Sequence, residues 1–127
     1  MPALRPVSTR TDKAKADALF SKVVRARDGY RCRYCGAAHA LEPAHIFARR
    51  YSAGRCDEAN AVTLCHFDHA YFTEHPNEWT LWVTSWMGQQ AYSDLSARVH
   101  EVTRVDWHQR AVELTLRLSE LQEELTV

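Results

Sequence analysis

The chain has 127 residues, enough for one ordinary domain and too few for two independent large ones. Its 46% hydrophobic content supplies a core and excludes wholesale disorder, and no apolar run reaches the roughly 20 residues that span a bilayer. Lys plus Arg and Asp plus Glu each total 16, but residues 1–55 hold 12 of the former and four of the latter, so a basic first part offsets an acidic remainder.

Association with a polyanion depends on the local field, so the basic part is able to meet nucleic acid although the whole is neutral; the bland alternative is a merely dipolar protein. Residues 1–11, with two prolines and small polar residues, read as a loose or docking arm. Ala14, Ala18, Leu19, Val23 and Ala26 fall near helical spacing and predict a first helix over 12–28, stopped by Gly29. Between Tyr30 and Asn60 that period is lost. Turn candidates sit at Cys35-Gly36, at 52–54 and at 57–60, and two short antiparallel strands are expected near 41–46 and 61–64. A helix then starts near Asp68 and ends before His75, because Pro76 disfavours helix at the residue before it. Trp79, Trp82, Val83 and Trp86 share one face of a further helix closed by Gly88, and a short helix covers 89 to about 99. The last helix runs over 106–125, with Asp106 as N-cap and Leu114, Leu118, Leu121 and Leu125 as its stripe. Intramolecular packing is the expected job of this acidic helical tail, with homodimerisation second. The tryptophans and Tyr92 read as core rather than as base-stacking residues, and no internal repeat occurs.

Cys32 and Cys35, two residues apart, read as half a metal site in a reducing compartment rather than as a disulfide framework. A small ββ unit has too little apolar interior to hold itself, and tetrahedral zinc ties its turns together. Cys65, at the expected strand-to-helix junction, is the third ligand. Asp68 stands where a second two-residue spacing would place a cysteine. It leads as fourth ligand, with His66 or His39 as alternatives and a site without structural metal as the remaining reading. Cys56 reads as a free thiol.

His45 at the end of the first strand and His69 after the second, with Asn60 at the turn, are placed to form one pocket. Neutral imidazole accepts a proton from water, and a divalent ion stabilises charge on a phosphate and on the departing oxygen. In order, CRYC at 32–35, LEPAHIFARR at 41–50, DEAN at 57–60, TLC at 63–65 and His69 resemble the HNH endonuclease family with its ββα-metal core, in its small phage and prophage versions; AYFTEHPNEW at 70–79 resembles an extension of some phage members.

The resemblance implies an α+β fold: a zinc-stapled ββα-metal core over 30–75 with an N-terminal helix and a helical extension over 76–127, all one domain over 1–127. It implies His45 as general base, Asn60 as the central asparagine that holds the hairpin or approaches the metal, and His69 as ligand of the catalytic divalent ion (Mg2+, Mn2+, Zn2+ or Ni2+). Cys32, Cys35, Cys65 and Asp68 fall on the structural Zn2+ positions, Asp68 departing from the usual cysteine. Ala44 departs too, standing where many members carry a metal-ligating Asp or His. Glu42, on the same strand face, and His75 are the tentative substitutes. Arg49 and Arg50 are expected to clamp DNA phosphates, with Arg33, Arg55, Arg25 and Arg27 extending the contact.

The implied activity is divalent-metal-dependent hydrolysis of DNA phosphodiesters to 3′-hydroxyl and 5′-phosphate ends, nicking with low sequence specificity. The alternatives are a zinc-stabilised nucleic-acid-binding module without catalysis and a phage assembly factor. Expected partners are DNA, a second copy, or phage packaging or recombination proteins, with no membrane. No signal peptide is read at the N-terminus, so the cytoplasm, of a phage-infected host if the resemblance extends that far, is the expected location.

Overall fold

The computed structural model describes residues 9–126, so most of the expected arm over 1–11 lies outside the described residues. Thr9 opens the first helix by a reciprocal cap: its hydroxyl accepts from the Asp12 N–H at 3.0 Å, and the Asp12 carboxylate accepts from the Thr9 N–H at 3.1 Å. Helix α1, Arg10–Arg27, therefore starts two residues before the expected 12. Its buried face is Ala16, Phe20, Val23, Val24 and Ala26, whereas Ala14 and Ala18 are exposed. One phenylalanine and two valines bury far more apolar area than those alanines and turn the helix onto their own side.

Strands β1, Leu41–His45, and β2, Ala61–Cys65, form a two-stranded antiparallel sheet in which Ala44 faces Val62 and Pro43 faces Thr63. Pro43 is tolerated because β1 is an edge strand, where a missing N–H breaks no ladder bond. The outer edge of β2 is closed by other means: Asp28 accepts from the Thr63 N–H at 2.8 Å, the Arg33 N–H donates to the Thr63 carbonyl at 2.9 Å, and Arg27 donates to the Ala61 carbonyl at 2.8 Å.

Between the strands, the expected turn at 52–54 is one helical turn, α2, Ser52–Arg55, and 57–60 ends in the 3-10 turn Glu58–Asn60, whose first amides are met by Asp57. Gly54 is there because a Cβ would lie 2.7 Å from the Val99 side chain and 2.8 Å from Asn60 Nδ2. After β2, helix α3 spans His66–Glu74 and begins before Asp68 because Cys65 is already its cap. Helices α4, Pro76–Met87, and α5, Gln89–Val99, follow, separated by Gly88 at φ +90°. Helix α6, Trp107–Thr126, is capped by Asp106, which accepts from the Gln109 N–H at 3.1 Å. The α+β composition thus stands as six helices around one two-stranded sheet among the described residues.

Two apolar clusters result. In the first, α1 packs on α6 through Phe20, Val23, Val24, Trp107, Leu114 and Leu121, so the α6 stripe is intramolecular, although Leu125 stays 57% exposed. The second joins Cys32, Ala44, Val62, Leu64, Cys65 and Phe72, flanked by half-buried Trp79 and Trp82. The tryptophans accordingly divide: Trp107 is core, Trp79 and Trp82 are partly covered, and Trp86 is 40% exposed. Tyr92 is half-buried against Phe47. Among the described residues, no helix is long and apolar enough to cross a membrane.

Candidate metal centre and catalytic cleft

The turn after Tyr30 presents Cys32 and Cys35 together because Gly36, at φ +82°, lets the chain double back: the Gly36 N–H donates to the Cys32 carbonyl at 2.9 Å, and the Cys32 N–H to the Ala37 carbonyl at 2.8 Å. Across from it, Cys65 caps α3 and accepts from the Asp68 N–H at 3.4 Å. The metal-capable atoms of Cys32, Cys35, Cys65 and Asp68 all lie within 4.8 Å of one another. Zinc–sulfur bonds of about 2.3 Å at tetrahedral angles put two sulfurs about 3.8 Å apart, and a sulfur and a carboxylate oxygen about 3.5 Å apart. Cys35 and Cys65 sulfurs are 3.8 Å apart, and Cys32 Sγ and Asp68 Oδ2 are 3.2 Å apart. All four cysteines are free thiols, and the group could hold a metal ion such as zinc.

The electrostatics of the four groups agree. The Cys35 thiol is pushed up to about 12, first by its hydrogen bond to the Asp68 carboxylate. Burial raises Cys65 as well. Burial also acts to raise Asp68, but hydrogen bonds from the Cys35, Cys32 and Cys65 thiols outweigh it and hold that carboxyl down. The Cys35 and Cys65 thiols thus gather about a carboxylate, an order that a bound cation would reverse by favouring thiolates. His66 and His39 are exposed and outside the group, which leaves Asp68 as the fourth donor the fold brings in.

On β1, Glu42 bonds the ring Nδ1 of His69 at 2.7 Å and that of His66 at 3.2 Å. Burial pushes the Glu42 carboxyl up, but the two histidines outweigh it and its pKa falls. An ionised carboxylate only accepts, so His69 carries a proton on Nδ1 toward Glu42, the arrangement by which second-sphere carboxylates orient metal-binding histidines. Glu42, one of the tentative metal residues, is engaged by both imidazoles and so holds His69 in place. His75, the other tentative ligand, stacks on Tyr71 with ring centroids 4.1 Å apart and bonds the Tyr71 carbonyl at 2.7 Å; it does not line the cleft.

His45 stacks on Phe20, and its Nε2 lies 2.8 Å from the Arg55 carbonyl. A carbonyl only accepts, so Nε2 carries the proton and Nδ1 holds the lone pair. Burial, reinforced by the Arg49 and Arg55 charges, lowers the His45 pKa below its ordinary value and keeps the ring neutral near pH 7. Asn60 is fully buried: Nδ2 donates to the Phe47 and Gly54 carbonyls at 3.0 and 2.9 Å, and Oδ1 accepts from the Phe47 N–H at 2.8 Å. Of the two roles expected for it, the geometry gives the first: it fixes the loop that presents His45 and does not itself face the cleft.

His45 and His69 stand between two clefts. One, of about 240 Å³, is largely apolar, with Ile46, Leu64, Phe72 and Trp79 in its walls. The other, of about 360 Å³, adds Asp17, Phe20, Pro43 and Arg49. The Arg49 side chain is 58% exposed and pairs with Asp17 at 3.2 Å. Arg50 lies outside both clefts, over the Tyr51 ring at 4.9 Å. Arg55 grips the same Asp17 at 2.9 and 2.7 Å, Arg27 donates to the Glu58 and Ala61 carbonyls, and Arg25 bonds the Ser21 carbonyl, so much of the basic first part is spent on internal acceptors.

Asp17 and Glu42 are the residues sequence reasoning under-read. Asp17 is a lone acid between Lys13 and Arg27 on a basic helix, and Glu42 sits one alternation from Ala44; each is a carboxylate isolated in basic or histidine-bearing surroundings. Comparison with family models, with curated proteins and with solved structures returns no match for this chain.

Proposed function

We propose that this chain is an HNH-type endonuclease that hydrolyses DNA phosphodiester bonds with a divalent cation, its ββα unit stapled by structural zinc at Cys32, Cys35, Cys65 and Asp68. The observation that carries the reading is the pairing of His45 and His69 on shared clefts, each ring fixed by a backbone or carboxylate acceptor. The ordered resemblance of 32–69 to HNH nucleases supports it.

In this mechanism His45 Nδ1 takes a proton from the water that attacks phosphorus, the 3′ oxygen leaves, and the 5′-phosphate remains on the other fragment. His69 would hold the divalent ion through Nε2, and that ion would supply charge stabilisation at the phosphoryl oxygens and the leaving oxygen. Glu42 orients His69, Asn60 orients the His45 loop, and Arg49, the most exposed cation on the charged cleft, meets a phosphate. One active site per chain makes single-strand nicks the natural product. DNA is the proposed partner, with packaging or recombination proteins as companions if the phage resemblance extends that far.

The second reading is a zinc-stabilised nucleic-acid-binding module. What favours it is Ala44, buried opposite Val62 where a second ligand would stand, so that β1 offers no ligand beside His69 at that position. Supercoiled plasmid and full-length protein separate the two. With magnesium, manganese, nickel or zinc, the intact chain is expected to nick, and His45→Ala to lower the rate by roughly 10²- to 10⁴-fold with folding and zinc content unchanged. Equal nicking by both proteins rules out the mechanism, and DNA retention without cutting under every metal favours the binding module.

A further inference from the structure

A nucleotide has an anionic half and a flat, apolar half, and the two imidazoles separate two surfaces of matching kind. The cleft bearing Arg49 sets that cation and the Asp17 carboxylate beside Phe20 and Pro43. The other is walled by Ile46, Leu64, Phe72 and Trp79, side chains that offer a phosphate nothing. From Trp79 a column of rings leads outward along α4: Trp79 and Trp82 stack at 5.7 Å, and Trp82 and Trp86 stack at 5.6 Å with their planes only 4° apart. Tyr34, 52% exposed on the cysteine turn, meets Trp82 edge-on, and the Arg33 guanidinium lies 5.9 Å over Trp86. Glu78, the acid on the same helix, spends its carboxylate on the Tyr71 hydroxyl.

Helical spacing explains why these rings share a face, but not why the column ends in a 40% exposed indole beside an arginine. A core column would be covered at its end. An exposed indole at the end of a ring stack, with an adjoining guanidinium, is what an unpaired base stacks on, since every base has a π face and the arginine adds cation–π attraction. Bases within a duplex have no free face to offer, so the fit is to a single strand.

We propose that the apolar cleft and the ring column from Trp79 to Trp86 hold the unpaired bases of a single-stranded DNA segment. This rests on the nuclease reading for which phosphate is cut, but not for the binding itself. The substrate class is then DNA with an unpaired stretch, its phosphates running on the Arg49 side and its bases on the Trp79 side.

The test uses the full-length, zinc-loaded His45→Ala chain, so that DNA stays uncut, with a fluorescein-labelled thymidine oligomer of about 12 nucleotides as probe and an abasic oligomer of equal length and charge as control. Tryptophan fluorescence is expected to be quenched by the thymidine oligomer and not by the abasic one. Adding Trp86→Ala weakens thymidine binding roughly five- to tenfold, Trp86→Phe recovers most of it, and abasic binding does not move. Circular dichroism melting confirms that both variants fold. Equal affinity for the two oligomers, an unchanged affinity in Trp86→Ala, or a self-association that Trp86→Ala dissolves would each overturn the proposal. Failure of plasmid nicking alongside base-dependent binding removes the nuclease and keeps the column; nicking with no Trp86 effect does the reverse.

Discussion

The two halves of this small fold are held by different physics. Helices α1 and α6 bury valines, leucines, Phe20 and Trp107 against each other, a contact that needs only apolar area. The sheet with α3 owns a thinner interior in which two of six buried members are cysteines, and its turns converge on four metal-capable atoms instead. The first kind of cohesion tolerates change in small steps. The second is all or nothing, because one lost ligand opens the set.

The largest expected effect follows from that difference. Metal analysis should find about one zinc per chain, and Cys32→Ser or a strong chelator should remove it, lowering stability by roughly 5 kcal/mol or more. Hydrogen exchange should rise first over 32–74 while α1 and α6 keep their protection. Simultaneous loss of protection everywhere would show the halves to be one cooperative unit.

A middle-sized effect comes from the opposite side. Leu114→Ala leaves a cavity between α1 and α6 and should cost about 2–5 kcal/mol in urea unfolding while leaving zinc content intact. Zinc lost from this variant would erase the distinction.

The smallest effect belongs to the seam, where Asp17 on α1 grips Arg55 and Arg49 of the interstrand loop. Burial acts to raise its carboxyl, but the Arg55 hydrogen bond and charge, then Arg49, hold its pKa below the ordinary value. Its contribution is therefore complete above the unfolded-state value of about 3.9 and disappears as pH falls through the lower folded value. Asp17→Asn should cost about 1 kcal/mol at pH 7, and the gap from the parent should close in acid. A gap that persists unchanged in acid would assign the loss to packing.

What sequence makes legible here is whatever repeats or is chemically rare. Both strands, the α4 face and the α6 stripe follow from period, and the four metal-capable residues follow from cysteine spacing. Less legible was anything set by a partner distant in sequence. The α1 face depends on α6, nearly a hundred residues on, and Phe20 overrules the alanine pattern only because Trp107 and Leu114 wait there. Asp17 looks like an ordinary surface acid until the fold sets it against Arg55, and Glu42, a tentative metal residue by strand parity, shows its hold on His69 only in the fold. Asn60 carried the opposite ambiguity: its type suggested two roles, and only the Phe47 and Gly54 backbone decides between them.

The closed outer edge of β2 reaches further than local geometry. An open strand edge is an invitation to neighbouring molecules, and here Asp28, Arg27 and the Arg33 amide answer every pairing group on it that they touch. Arg33 lies inside the cysteine turn, so the segment that presents Cys32 and Cys35 also occupies a pairing group on the sheet edge. The cysteine turn and the sheet edge are thus tied together through a single amide.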